Sequence, residues 1–90
     1  MSITVWIRPE KGSVEQYREV IRRLEEAGAG APPGRLYHVT FERDGRMGTV
    51  DVWSSREEFD EFGKVLMPIV QSVGIELAPP EFFDTVNVID

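Results

Sequence analysis

An α+β fold built on one four-stranded antiparallel sheet is predicted here by three observations. A hairpin signature stands at the centre of the chain, where two runs rich in β-branched and aromatic residues flank Asp44-Gly45 between Leu36 and Trp53. That dipeptide tolerates the positive φ angles of a two-residue type I′ turn. Helical repeats of apolar residues lie on either side of the hairpin, and a strand-like run closes each end of the chain. The order is β-α-β-β-α-β. Short connections and right-handed crossovers steer this order to the ferredoxin-like sheet, with strand order 4-1-3-2 and both helices on one face.

Ile3-Thr4-Val5-Trp6-Ile7 alternates and stops at Pro9, which predicts a first strand, and Glu10-Lys11-Gly12 then turns the chain. Ser13 followed three residues later by Gln16 forms a capping box, and Val14, Tyr17, Ile21 and Leu24 recur at helical spacing with Val20 beside them. A helix from Val14 to Ala27, ended by Gly28, follows. Ala29 to Gly34 is a Gly/Ala/Pro loop. After the hairpin, Ser54-Ser55 with Glu57 and Glu58 gives two overlapping capping boxes, and the carboxylates favour the positive end of a helix dipole. Phe59, Phe62, Leu66, Ile69 and Val73 form the buried stripe of this second helix. Pro68 predicts a kink or a break near Met67, and Gly74 closes the element. Ala78-Pro79-Pro80 is a stiff connection into a last strand, Glu81 to Ile89.

Composition narrows the function. Ninety residues suit one domain spanning 1–90, and 41% hydrophobic with 29% charged residues is ordinary for a globular protein. No apolar run approaches the ~20 residues of a membrane span, and the N-terminus lacks the regions of a signal peptide, so a cytoplasmic protein without membrane contact is expected. The absence of cysteine removes disulfides, thiolate metal sites and cysteine nucleophiles, and a single histidine, His38, rules out a multi-histidine metal site within one chain. Neither a metal nor a cofactor is expected. A net charge of −6 without a basic cluster argues against nucleic acid.

The turn sets a register in which Arg43 faces Arg46, Phe41 faces Gly48, Thr40 faces Thr49, Val39 faces Val50, His38 faces Asp51 and Leu36 faces Trp53. Period two then separates an apolar face, Tyr37, Val39, Phe41, Val50 and Val52, from a half-polar one, Leu36, His38, Thr40, Thr49, Asp51 and Trp53. Two helices cover only one side of the sheet, and the other is too apolar to leave bare. A homodimer packing sheet against sheet solves this. The alternative is a monomer that keeps the apolar face under its helices.

The run Val-Asp-Val-Trp-Ser-Ser-Arg-Glu-Glu-Phe, residues 50 to 59, resembles the antibiotic-biosynthesis-monooxygenase (ABM-like) branch of the dimeric α+β barrel superfamily. In that family a strand ends in Trp, followed by Ser, an acidic helix start and an aromatic. The resemblance implies a homodimer whose two sheets form a barrel, with a pocket in each subunit between sheet and helices. It also implies that Trp53 points into that pocket, with His38, Thr49 and Asp51 on the same side, and that the Tyr37/Val39/Phe41 face lies in the dimer. The departures bear on activity. Quinone-forming members carry an Asn four residues before this Trp and a Tyr six after it, where this chain has Thr49 and Phe59. Many relatives carry a His nine residues after the Trp, and here that position is Phe62. Haem-degrading relatives need a helix-borne histidine, and the second helix has none.

His38 opposite Asp51 is the sharpest constellation. Cross-strand partners have Cβ atoms about 5 Å apart, close enough for a carboxylate to orient an imidazole, and a histidine so held beside a pocket suits a general base acting on a phenol or an acidic carbon. The same pair also serves simply to satisfy two half-buried polar groups. Thr40 and Thr49 are candidate pocket hydroxyls, and Trp53, Phe59 and Phe62 candidate aromatic walls. Arg8 and Asn87 are weaker candidates for binding a carboxylate. Three readings stand: a homodimer that binds a small aromatic or apolar molecule, a cofactor-independent monooxygenase or isomerase/cyclase with His38 as base, and a non-catalytic dimerisation or accessory module. The space around Trp53, Phe59 and Phe62 separates them, since a filled space favours the module.

Overall fold

The computed structural model describes residues 2–89. Its elements are β1 (Ile3–Ile7), β2 (Pro9–Lys11), α1 (Val14–Glu26), β3 (Arg35–Arg43), β4 (Arg46–Trp53), α2 (Arg56–Val73), β5 (Glu76–Leu77) and β6 (Glu81–Asp84). Four strands form the main sheet in the order β3-β4-β1-β6, with β1 antiparallel to both β4 and β6. Counting only the four predicted strands, this is the 4-1-3-2 order of the ferredoxin-like fold. Among the described residues no helix is long and apolar enough to cross a membrane.

The turn chemistry acts as the residues dictate. Asp44 and Gly45 both take positive φ, 53° and 79°, and the hairpin keeps the expected pairs from Arg43 opposite Arg46 to His38 opposite Asp51. The inner end differs. Arg35, not Leu36, opposes Trp53, and the register shifts between Arg35 and Tyr37. Leu36 is the extra residue of this bulge and turns outward, 61% exposed. Gly48 lets the Phe41 ring fold over it, since a Cβ there would lie 2.7 Å from that ring and displace it.

Both helices start on the predicted serines. Ser13 and Gln16 exchange backbone-to-side-chain hydrogen bonds in a complete capping box, and α1 ends at Ala27 with Gly28 in the left-handed region. For α2 only Ser55 caps, accepting from the Glu58 backbone N–H; the Glu58 carboxylate instead accepts from the hydroxyls of Ser54 and Ser55. The predicted break at Pro68 does not occur, since α2 is one element from Arg56 to Val73. Leu66, Ile69 and Val70, on both sides of the proline, pack against one core, and this outweighs one missing backbone bond.

The other corrections concern short pairings. Pro9 to Lys11 does not merely turn the chain; it pairs with Glu76–Leu77 as a second, two-stranded sheet. The last strand stops at Asp84 and does not reach Ile89, because Asp84 already faces Ile3, the first residue of β1. Thr85 still donates its backbone N–H to the Ser2 carbonyl at 3.2 Å, and residues 86–89 run on past the end of β1. Between sheet and helices lies the core: Val5, Val20, Leu24, Trp53, Phe62, Val70 and Ile75. Val70 and Ile75 join it from outside the predicted stripe.

Candidate functional site

The site lies where α1 crosses the middle of the hairpin. His38 on β3 and Asp51 on β4 are direct cross-strand neighbours on the helix-covered face. The His38 Nδ1 lies 2.5 Å from Asp51 Oδ1. The indole N–H of Trp53, two residues along the same strand face, donates to the other carboxylate oxygen at 3.2 Å. Asp51 is only 3% exposed, so this carboxylate sits in the core and is held by two ring N–H donors. An ionised carboxylate only accepts, so the proton of the neutral imidazole resides on Nδ1 and the lone pair on Nε2.

That lone pair already has a partner. Tyr17, on the first turn of α1, places its hydroxyl 2.8 Å from Nε2, and the two rings lie nearly parallel with centroids 6.3 Å apart. Thr40 Oγ1 stands farther off, at 3.4 Å, and bonds the Thr49 hydroxyl across the hairpin at 3.0 Å. The result is a chain of contacts from helix to core, Tyr17–His38–Asp51–Trp53. Beside it a cavity of about 70 Å³ opens between sheet and helices, bordered by Tyr17, His38, Thr49, Asp51, Phe62 and Leu66.

The structure thus brings together His38, Asp51, Thr40 and Thr49, with Trp53 behind them. It separates the aromatic set. Phe62 borders the cavity, whereas Trp53 has no exposed surface and Phe59 packs edge-on against it at 5.6 Å between centroids, with Phe82 beyond. The space between Trp53, Phe59 and Phe62 is filled by their own rings, and the open volume lies on the far side of Phe62 toward α1. Arg8 leans over Trp6 and pairs with Glu81, and Asn87 is exposed beyond the last strand; neither approaches the cavity. Sequence reasoning placed Tyr17 in the helix stripe and missed its bond to His38. The available signal was its position on the core face of the helix that must cross the hairpin.

This architecture is a ferredoxin-like α+β fold with a polar pair buried under its helices. No family model matches the sequence, and no curated protein matches it. Among solved structures it is similar to a mutant of SnoaB, a cofactor-independent oxygenase from Streptomyces nogalater, at 16% identity and a TM-score of 0.69, covering 98% of this chain and 96% of that one. It is equally similar to Rv0793 from Mycobacterium tuberculosis, at 15% identity and a TM-score of 0.69 over the whole of both chains. A de novo designed protein, Foldit4, is similar too, at 14% identity and a TM-score of 0.63 over 94% of this chain and 99% of the other. The chain therefore has the fold of the ABM-like proteins, as the Trp53 motif implied. A designed protein shares that fold, so chemistry has to be argued from the site.

Proposed function

We propose that this chain is a homodimeric ABM-like protein, one domain over residues 1–90, that takes a small aromatic or apolar molecule into the cavity between sheet and helices. The observation that carries the reading is the cavity wall: largely apolar, it is broken by a few polar groups, Tyr17, Thr49 and a histidine whose orientation Asp51 fixes among them. Ligand pockets pair an apolar lining with a few placed polar groups in this way. The homodimer is supported by the sheet's other face, where Tyr37, Val39, Phe41 and Phe83 are 37–49% exposed. The Trp6 indole N–H on that face is closed off from solvent and has no acceptor among the described residues.

A specific observation favours catalysis as the second reading. Nδ1 held by a carboxylate, on a ring that borders the cavity and whose Nε2 meets the Tyr17 hydroxyl, is the arrangement of an oriented general base, and SnoaB carries cofactor-independent oxygenation on this fold. The substrate class is then an aromatic or polyketide-like compound with an acidic hydroxyl or carbon. The filled space around Trp53 is what an accessory module would show.

Titration with simple phenols and quinones tests these readings. Saturable binding in the parent protein, weakened only modestly in His38→Ala, marks a binder. Turnover that falls by about 10²–10⁴ in the same variant marks the enzyme. Absence of binding by every compound, with the cavity closed in a soaked crystal, leaves the accessory module.

A further inference from the structure

We infer that Tyr17 is a built-in competitor for the binding position: its phenol holds the His38 Nε2 lone pair that a hydroxyl-bearing aromatic ligand must take, so a ligand enters by displacing the Tyr17 ring. The inference rests on the cavity reading above and specifies how that cavity is reached and what it selects.

Size is the first argument. The cavity is about 70 Å³, whereas an engineered apolar cavity that takes up benzene has about 150 Å³. A six-membered ring does not fit while Tyr17 stays in place. Around the cavity the walls contributed by Val20, Leu24, Phe62 and Val70 are buried core. Tyr17 is different: it is half-buried, it borders both cavity and solvent, and it sits on the first turn of α1, where a side-chain rotation needs no change in the backbone.

Chemistry is the second. Tyr17 presents a phenol hydroxyl to Nε2 at 2.8 Å, which is the contact a phenolic or enolic ligand would make. When Tyr17 leaves, the Thr40 hydroxyl stays at 3.4 Å, a longer contact that it shares with Thr49, so it replaces the Tyr17 hydroxyl only in part. Ligands therefore divide by what they return to Nε2. A phenol replaces one close hydroxyl by another, whereas toluene leaves the nitrogen with only the longer Thr40 contact. Losing the close partner of this half-buried acceptor costs an equilibrium roughly tenfold, so phenol is preferred over toluene by about that factor.

Titrating the parent, Tyr17→Phe and His38→Ala with phenol and with toluene, followed by amide chemical shifts, separates the outcomes. Tyr17→Phe keeps the ring and removes only the competing hydroxyl, so it should bind both probes about tenfold more tightly while keeping the preference for phenol. Tyr17→Leu, which withdraws the ring as well, should shift in the same direction and serves if Tyr17→Phe folds poorly. If the parent binds phenol through His38 but Tyr17→Phe binds it no better, or more weakly, Tyr17 is an ordinary ligand contact or a bystander and the competitor is overturned while the cavity stands. If neither probe binds the parent or either Tyr17 variant, the cavity reading fails and the competitor fails with it.

Discussion

The two faces of one sheet have exchanged the roles their composition suggests. Under the helices, Val5 and Trp53 are fully buried, yet Asp51 at 3% exposure, His38 and the Thr40–Thr49 pair share that side. On the open side the hairpin contributes Tyr37, Val39, Phe41, Val50 and Val52, with the Arg43–Arg46 pair at its tip, and three of the five are more than a third exposed. Hydrophobicity alone would bury the second set. Right-handed crossovers decide which side the helices reach, and the polar groups they cover are tolerated because each has a partner. The difference teaches that the buried polar face is where a site is expected and the bare apolar face is where a partner is.

The contrast breaks first at Trp53. Trp53→Ala empties the centre of the core and leaves one oxygen of a buried carboxylate without its donor, so it should destabilise the protein by about 3–5 kcal/mol in urea unfolding. A loss under 1 kcal/mol would mean that the covered face is not the core. Val39→Asp, on the opposite face of the neighbouring strand, should act differently. It places a charge in the middle of the exposed patch, so light scattering should show the dimer mass halved while the circular dichroism of the protomer is kept. A parent protein that is monomeric at high concentration would remove the proposed reason for the apolar face.

How much of this was legible can be argued residue by residue. The Asp44-Gly45 turn, the Ser13 and Ser55 caps and Gly74 act through local backbone chemistry, and each appears where the sequence places it, whereas Ser54 bonds the Glu58 carboxylate and caps nothing. So does the His38–Asp51 pair, since counting outward from a two-residue turn fixes a register. The count fails at Leu36, because nothing local announces an extra residue in one strand; the bulge belongs to how the hairpin meets the rest of the sheet. The end of β6 was likewise hidden. Residues 85–89 alternate like a strand, but a strand needs a neighbour, and after the Thr85 bond to Ser2 none among the described residues faces residues 86–89. Pro68 allowed a kink or a break, and tertiary packing on both sides of it keeps α2 one element, so the break is what does not occur. Within the site, Tyr17 was unreadable because its contact with His38 depends on how α1 crosses the hairpin, which no spacing within either element encodes.

The smallest expected effect sharpens the same comparison at the surface. Glu19, on the outer side of α1, accepts from Arg22 and Arg23, and these bonds, the one to Arg22 first, hold its carboxyl down at about 2. The folded protein therefore binds this proton less readily than the unfolded chain, whose carboxyl titrates near 4.5. The sign follows: the contribution is complete above about pH 4.5 and is lost as pH falls through about 2. Both arginines are exposed, so solvent and salt screen most of it. The melting temperatures of the parent and Glu19→Gln should differ slightly at neutral pH, draw together as pH falls from 4.5 toward 2, and also draw together at neutral pH on adding salt. A gap that persists in high salt would mean that Glu19 acts through packing. The His38–Asp51 pair is the counterpart that salt does not reach, because Asp51 is buried, and this is why a weak surface network can surround α1 while a buried pair beneath it holds one geometry.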